Sequence, residues 1–294
     1  MDPLNLLLFF FGAVLCVWAA QQMANLSKRA TAFWRGRNVL IFGANRPVGM
    51  RLCARAASLG ADVVAVIDKN GPDAQALESL GVARVVVQEK EDDGAATYEA
   101  AKQHFATTPH AVIIDTDSLC DKGKNEDARV RRVFETVYPD MNALPDPVRP
   151  LFAVIGSELG TVPALGAGLE EYASQQASIR GWLLARSATL APRFGCIYLE
   201  RSIQSHLAEA VEGTENLPTS LKERVFAESE QFVGALERQL VASFNARGFD
   251  AIMLRSMRAV PLLQASLASR RRPAWRDRLL KIHNLVKLLD SKTL

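Results

Sequence analysis

Short apolar runs alternate with segments of helical periodicity from residue 38 onward. The apolar runs have the length and composition of buried strands, and they lie at Asn38–Phe42, Asp62–Ile67, Ala83–Val87, Ala111–Ile114, Leu151–Ile155 and Gly195–Leu199. The segments between them predict helices over Arg51–Leu59, Ala74–Leu80, Tyr98–Phe105, Ala128–Tyr138 and Leu169–Leu190. Strands joined through helices require right-handed crossovers. The sequence therefore predicts an α/β fold, a doubly wound parallel sheet covered on both faces.

The first apolar run of the chain is of another kind. Leu4–Ala20 holds seventeen residues of which Asn5 alone is polar, just enough to span a bilayer as a helix. Four basic residues follow between positions 28 and 37 and none precedes it, so the positive-inside rule places the rest of the chain on the cytoplasmic side. A cleaved signal peptide, which the missing basic start disfavours, and a buried core helix are the competing interpretations. We expect an N-terminal transmembrane helix in residues 1–27, ahead of a domain over residues 28–260.

The end of the chain carries a separate pattern. Apolar residues recur at helical spacing and basic residues lie between them, the apolar positions being Trp275, Leu279, Ile282, Val286 and Leu289. Residues 270–294 hold eight basic and two acidic side chains, a net +6. Residues 261–294 are thus expected to form a basic amphipathic tail that docks on an anionic membrane surface or an acidic partner, or packs on its own domain. In the region before this tail, the pattern predicts a long helix over Ser220–Ala246 and a last strand over Ala251–Leu254.

Composition excludes several classes of protein. The chain has 294 residues, 49% of them hydrophobic, and a formal net charge of +3, which is typical of a globular protein with a full core. Because the tail holds +6, the first 269 residues carry −3, so we expect no nucleic-acid partner. The four cysteines are far apart in sequence and have no histidine at ligand spacing, so we expect no metal site and a reducing compartment.

A glycine turn follows the first predicted strand. Gly43, Asn45, Arg46, Pro47 and Gly49 lie between this strand and the next helix, where a pyrophosphate binds in dinucleotide-binding folds. After the second strand, Asp68 is placed to accept a hydrogen bond from a ribose hydroxyl. The middle glycine of the fingerprint is absent, and Pro47 has no N–H to offer a phosphate. The turn is predicted to bind a dinucleotide, or alternatively only to connect strand and helix.

Two later segments resemble the short-chain dehydrogenase/reductase family. Ile155-Gly156-Ser157-Glu158-Leu159-Gly160 is similar to the family's strand end with its serine, and the helix around Tyr172 and Gln176 is similar to its Tyr-x-x-x-Lys helix. The resemblance covers roughly residues 38–255 and implies a Rossmann-like fold with bound NADP(H) or NAD(H). With the predicted anchor, the chain is most similar to the 3-ketodihydrosphingosine reductase branch, membrane-tethered NADPH-dependent enzymes of sphingolipid synthesis.

The resemblance implies a role for each matching residue. Tyr172 would donate a proton to a substrate carbonyl, and Ser157 would hydrogen-bond the same oxygen. A phenol has an unperturbed pKa near 10 and needs a nearby cation to exchange protons efficiently at neutral pH. Gln176 stands at the position of the lysine that supplies this cation in the family. The positive charge that would favour ionisation of the Tyr172 phenol is therefore missing from this position.

Other positions also depart from the family pattern. Asp115-Thr116-Asp117-Ser118 replaces the Asn-Asn-Ala-Gly that lines the cofactor, and Glu200-Arg201 replaces a Pro-Gly after the sixth strand. The segment that carries the family's active-site asparagine is missing. The carboxylates of Asp115 and Asp117 are expected to be solvated on a loop rather than to bind a metal.

Two hypotheses remain from the sequence. The first is a membrane-anchored protein of this fold that has lost catalysis and serves as a structural or regulatory subunit, with protein partners or a second copy of itself. The second is an active reductase of a long-chain keto-lipid, in which Lys122 or Lys124 replaces the lost cation. Both place the domain on the cytoplasmic side of a membrane, expected to be the endoplasmic reticulum or, alternatively, the mitochondrial inner membrane.

Overall fold

The computed structural model describes the predicted α/β region and a few residues after it. Described are residues 28–67, 72–88, 94–105, 107–116, 125–157, 170–187, 189–190 and 194–201, together with 233, 234 and 237. The predicted anchor (residues 1–27), the predicted last strand and the basic tail lie outside these ranges, as do Asp68, Asp117, Lys122 and Lys124. Within the described ranges, no helix combines the length and the apolar character that a bilayer crossing needs.

Within the described ranges, six parallel strands form a single sheet. The strands are β1 (Asn38–Phe42), β2 (Asp62–Ile67), β3 (Arg84–Val87), β4 (Ala111–Asp115), β5 (Leu151–Ser157) and β6 (Gly195–Arg201). Their order in the sheet is β3-β2-β1-β4-β5-β6, so the chain reverses its winding direction between β1 and β4. At the centre, Ile41 of β1 lies between Ala65 of β2 and Ile113 of β4. This order confirms the predicted doubly wound parallel sheet.

Three strands extend beyond their predicted ends. The apolar pattern predicted ends at Ile114, Ile155 and Leu199, but β4 continues to Asp115 and β5 and β6 continue to Ser157 and Arg201. The register continues into these polar residues, with Asp115 opposite Ile155 and Ser157 opposite Arg201. The predicted strands are too short because the hydrophobic pattern reports only which residues are buried and apolar. The hydrogen-bonded pairing of the backbone continues beyond them into polar residues.

Helices cover both faces of the sheet. They are α1, described over residues 28–34, α2 (Pro47–Ser58), α3 (Pro72–Ser79), α4 (Ala95–Phe105), α5 (Glu126–Asn142) and α6 (Glu170–Ser187). Side chains of α1, α2 and α3 pack on one face of the sheet, and side chains of α4, α5 and α6 pack on the other. All five residues of β1 but Asn38 are buried between these layers. The sheet is thereby packed between two layers of helices.

Two helices start at residues that the apolar pattern does not reveal. Pro47 occupies the first turn of α2, four residues before the predicted start, where its missing N–H costs nothing. Asn125 caps α5 by accepting a hydrogen bond from the Ala128 N–H at 3.0 Å, and two acidic residues follow in the first turn. Periodicity therefore located the middle of α2 and α5 and missed residues in the first turn of each, since these helices begin at Pro47 and Glu126.

A buried carboxylate joins the C-terminal part of the chain to the domain. Glu237, 7% exposed, accepts a hydrogen bond from the indole N–H of Trp34 at 3.0 Å. The Nε of Arg55 on α2 donates to both of its oxygens, at 3.1 and 3.2 Å. Trp34 is fully buried in the core between the sheet and α1. The predicted helix over Ser220–Ala246 thus contributes at least one residue, Glu237, that holds α1 and α2 together.

Replacing this carboxylate tests its contribution to stability. Glu237→Gln keeps the shape but removes the charge that both donors share, and hydrogen bonds to charged groups contribute about 1.5–3 kcal/mol. We expect the free energy of unfolding to fall by about 1–3 kcal/mol in chemical denaturation followed by tryptophan fluorescence. The control is Glu78→Gln on the exposed side of α3, which should change stability by less than about 0.5 kcal/mol. Equal effects of the two substitutions would contradict this assignment.

Candidate cofactor and active site

The glycine turn after β1 has the backbone that a dinucleotide-binding turn requires. Gly43 has a φ of 73°, a conformation that other residues rarely adopt, and a Cβ there would lie 2.6 Å from the Asp115 carbonyl oxygen. A Cβ on Gly49 would overlap the carbonyl oxygen of Gly43, so only glycine allows α2 to start this close to β1. Gly43 and Gly49 therefore allow the chain to turn tightly between β1 and α2, as in a Rossmann-type turn.

Two of the chain's own side chains fill this turn. Arg46, 7% exposed, donates from its guanidinium to the main-chain carbonyl of Asp115. Asp115 is fully buried, and its Oδ2 accepts a hydrogen bond from the Gly49 N–H at 3.2 Å in the first turn of α2. The expectation that Asp115 is a solvated loop carboxylate is therefore wrong. The reason is that β4 extends to this residue, which brings its carboxylate to the positive end of a helix dipole.

Most N–H groups of the turn are unavailable to a phosphate. The Ala44 N–H donates to Val66 and the Arg46 N–H to Gly43, while the Gly49 N–H donates to the Asp115 carboxylate. Pro47 has no N–H. The Asn45 amide oxygen is buried and has no hydrogen-bond partner among the residues that the structure describes, so this residue does offer a polar atom to a ligand. On balance the donor set does not fit a dinucleotide pyrophosphate, although the fold is compatible with a nicotinamide cofactor.

Gln176 of α6 lies at the carboxyl edge of the sheet and is fully buried. Its Oε1 accepts hydrogen bonds from the Ser157 N–H at 3.1 Å and from the Tyr198 hydroxyl at 2.9 Å. Its Nε2 donates to the Thr116 hydroxyl at 3.4 Å, and that hydroxyl donates to the Ile155 carbonyl at 2.9 Å. One side chain thus connects β5, β6 and the residue after β4. We call Gln176, Thr116, Ser157 and Tyr198 the amide network.

Tyr198 is a residue of this site that the sequence pattern did not indicate. This residue lies on β6, is 4% exposed, and its hydroxyl is within hydrogen-bond distance of both the N–H and the carbonyl of Ser157, at 3.0 and 3.2 Å. A Cβ on Gly156 would overlap its phenol ring and hydroxyl. The space for the ring therefore exists because the neighbouring strand has a glycine. Only the β5–β6 register reveals this pairing, so the sequence pattern alone had no signal for it.

The structure brings together two of the three predicted catalytic residues. Ser157 and Gln176 are in direct contact through the Ser157 N–H, and both are fully buried. Tyr172 lies in the first turn of α6, one turn before Gln176, and is partly exposed. Glu200 and Arg201 belong to β6 rather than to a loop after it. The predicted site residues thus divide into a buried pair within the amide network and a tyrosine nearer to solvent.

Two cysteines are buried and free within the described part of the chain. Burial raises the pKa of the Cys196 thiol to about 12. Burial, and secondarily the charge of Asp115, also raises the pKa of the Cys53 thiol. Both therefore stay protonated at neutral pH and behave as small apolar side chains in the core.

Comparisons with known proteins show similarity at the level of the fold. No protein-family model matches the chain, and no curated protein does. An NADH-dependent reductase complexed with NAD is similar over 58% of this chain and 80% of its own, with 13% identity and a TM-score of 0.50. A short-chain dehydrogenase from Burkholderia cenocepacia in complex with NADP has 21% identity over 56% of this chain and 74% of its own, with a TM-score of 0.46. A 3-oxoacyl (acyl-carrier-protein) reductase from Agrobacterium tumefaciens with NADP bound has 19% identity over 57% and 70%, also with a TM-score of 0.46.

The strand order and the glycine turn define the class of fold, and the similarity to the NADH-dependent reductase agrees with it. The chain has a Rossmann-like doubly wound domain. A fold of this kind hosts many functions, so function has to be argued from the side chains at its carboxyl edge.

The contact between Gly156 and Tyr198 gives a test of the site's construction. Gly156→Ala should lower the free energy of unfolding by about 1–3 kcal/mol, because the added methyl group overlaps a buried ring. Tyr198→Leu removes the ring, so Gly156→Ala should cost far less in its presence, which a double-mutant cycle measures. Tyr198→Phe should give no such relief, since ring atoms as well as the hydroxyl contact this position. Strict additivity of Gly156→Ala and Tyr198→Leu would contradict the proposed contact.

Proposed function

We propose that this protein is a non-catalytic member of the short-chain dehydrogenase/reductase fold, a pseudoenzyme that serves as a structural or regulatory subunit of a membrane assembly. The observation that carries this proposal is the fully buried Gln176 amide, whose oxygen accepts two hydrogen bonds from within the protein. The resemblance places a catalytic lysine at this position. Here the side chain connects β5, β6 and the residue after β4 instead.

The amide network opposes the chemistry of the family for an electrostatic reason. A tyrosine acts as a proton donor at neutral pH only if a nearby charge lowers the cost of forming its phenolate. Gln176 carries no charge, and its oxygen has no further lone pair to offer because the Ser157 N–H and the Tyr198 hydroxyl use both. A carboxamide held in this way can neither assist Tyr172 nor bind a ribose through its oxygen.

The main-chain polar groups of Ser157 also have hydrogen-bond partners within the protein. Its main-chain N–H and carbonyl both lie within hydrogen-bond distance of the Tyr198 hydroxyl, and the residue is fully buried. A serine that binds a substrate carbonyl has to present its hydroxyl to a pocket that the substrate can enter. The burial of Ser157 favours a role in closing the end of β5.

The membrane part of the proposal is supported by the sequence at the two ends of the chain. The apolar run Leu4–Ala20 is long enough for an anchor, and residues 270–294 carry a net +6 that suits an anionic surface or an acidic partner. With both ends at one membrane, the domain would face the cytoplasm. The endoplasmic reticulum follows from the resemblance, and the mitochondrial inner membrane is the alternative. Partner subunits or a second copy of the chain would complete the assembly.

A second candidate function is an NAD(P)H-dependent reductase of a long-chain keto-lipid. Two observations favour it: Tyr172 is partly exposed near the carboxyl edge of the sheet, and the Asn45 amide oxygen in the glycine turn has no partner within the described part of the chain. This function needs a cation near Tyr172 from a residue other than Gln176.

An NADPH-oxidation assay distinguishes the two candidates. The purified full-length protein is incubated with NADPH and 3-ketodihydrosphingosine, and the absorbance of the nicotinamide is followed for the wild type, Tyr172→Phe and Tyr138→Phe. Because Gln176 supplies no charge, we expect all three proteins to give the same background rate. Turnover by the wild type that Tyr172→Phe abolishes and the control Tyr138→Phe retains would overturn the proposal in favour of the reductase.

The amide network also predicts an effect on stability. Gln176→Leu removes the acceptor that the Ser157 N–H and the Tyr198 hydroxyl share, so the free energy of unfolding should fall by about 1–3 kcal/mol. Gln103→Leu on the exposed side of α4 is the matched control and should change it by less than about 0.5 kcal/mol. Chemical denaturation measures both values. An unchanged stability for Gln176→Leu would show that the network has no structural importance.

A further inference from the structure

We infer that this chain supplies its own anion to the glycine turn, so that the Asp115 carboxylate and the Arg46 guanidinium occupy the region that a dinucleotide pyrophosphate would take. The inference rests on the same site as the proposed function and adds its physical cause. It concerns binding alone, and it is separable from the question of catalysis.

The Asp115 carboxylate is placed where an anion is most stable. It is fully buried, and its Oδ2 lies 3.2 Å from the N–H of Gly49, in the first turn of α2. The first N–H groups of a helix have no partner within the helix and carry a partial positive charge, which is why phosphates bind there. In this protein the Asp115 carboxylate, at the end of β4, accepts a hydrogen bond from one of these N–H groups. A pyrophosphate brought to the same place would lose this donor and meet a buried negative charge.

Arg46 fills the space that the turn's glycine leaves. A Cβ on Gly43 would lie 2.9 Å from one guanidinium nitrogen of Arg46 and 3.3 Å from its central carbon. The guanidinium is therefore packed directly over Gly43 while it donates to the Asp115 carbonyl. In a dinucleotide-binding turn, missing side chains let a phosphate approach the backbone. Here the same space accommodates a cation that belongs to the protein.

The charge and the space can be removed separately. Asp115→Asn removes the negative charge with little change of shape, and Arg46→Ala opens the space over Gly43. Asp62→Asn is the matched control, since it removes one carboxylate at the opposite, amino-terminal edge of the sheet, where Asp62 is partly exposed. NADPH, NADH and inorganic pyrophosphate are titrated into the full-length proteins, with binding followed by tryptophan fluorescence and by the shift in unfolding temperature.

We expect the wild type and Asp62→Asn to show no saturable binding of either dinucleotide at ligand concentrations up to about 1 mM. At about 1 mM ligand, binding with a Kd of about 100 μM would give a visible shift in unfolding temperature. Asp115→Asn should bind NADPH at least tenfold more tightly than the wild type, because a like charge is removed from the phosphate position. A gain for the dinucleotides but not for pyrophosphate would assign part of the new affinity to the nucleoside, and a gain for all three would assign it to the phosphates; either gain supports the inference.

Two results would overturn the inference. The first is binding of NADPH by the wild-type protein with a Kd below about 100 μM. This measurement does not depend on whether any variant folds. The second is a folded Asp115→Asn protein with unchanged affinity or, where that variant fails to fold, a folded Arg46→Ala protein with unchanged affinity. Wild-type binding without turnover would leave the proposed non-catalytic function in place, so the two proposals fail by different measurements.

Discussion

The need to satisfy buried polar groups at the carboxyl edge of a parallel sheet controls the structure of this site. Strands that end in Asp115 and Ser157 bring a carboxylate and main-chain donors to positions that are fully buried. A buried polar group without a partner costs about 1–3 kcal/mol, so each must find one. In this protein the partners come from the chain itself: Gly49 for Asp115, and Gln176 with Tyr198 for Ser157. The glycine turn, with Asp115 hydrogen-bonded to Gly49, and the amide network are thus two ways in which buried polar groups find partners within the chain.

A protein that binds a cofactor solves this problem differently. It leaves donors and acceptors unsatisfied at the carboxyl edge, and the ligand completes them, so binding sites are commonly less stable than they could be. The glycine turn here retains the backbone of such a site but not its free donors, because Arg46 and Asp115 are packed into it. In this turn an internal carboxylate thus satisfies a main-chain donor that a bound ligand could otherwise meet.

The architecture was predictable from the sequence because it depends on burial. Apolar runs of the right length, separated by helical periodicity, specified all six strands and their winding, and the Gly43–Gly49 turn was located from glycine spacing. Strand and helix ends were less accurate, since caps such as Asn125 and pairing through polar residues such as Asp115 leave no mark in the hydrophobic pattern. Pattern predicts which side chains are inside, and hydrogen bonding decides where an element stops.

The site itself was only partly predictable, for a reason that lies in register. The sequence identified Gln176 as the departure from a catalytic motif, but its contacts depend on which residues of β5 and β6 face it. Tyr198 enters the network because Gly156, on the neighbouring strand, leaves room for its ring, and these residues are forty-two positions apart in the chain. A missing lysine read from sequence alone indicates lost chemistry. The structure adds that the glutamine in its place has a different task, so restoring the lysine would bury a charge in a network that needs a neutral acceptor.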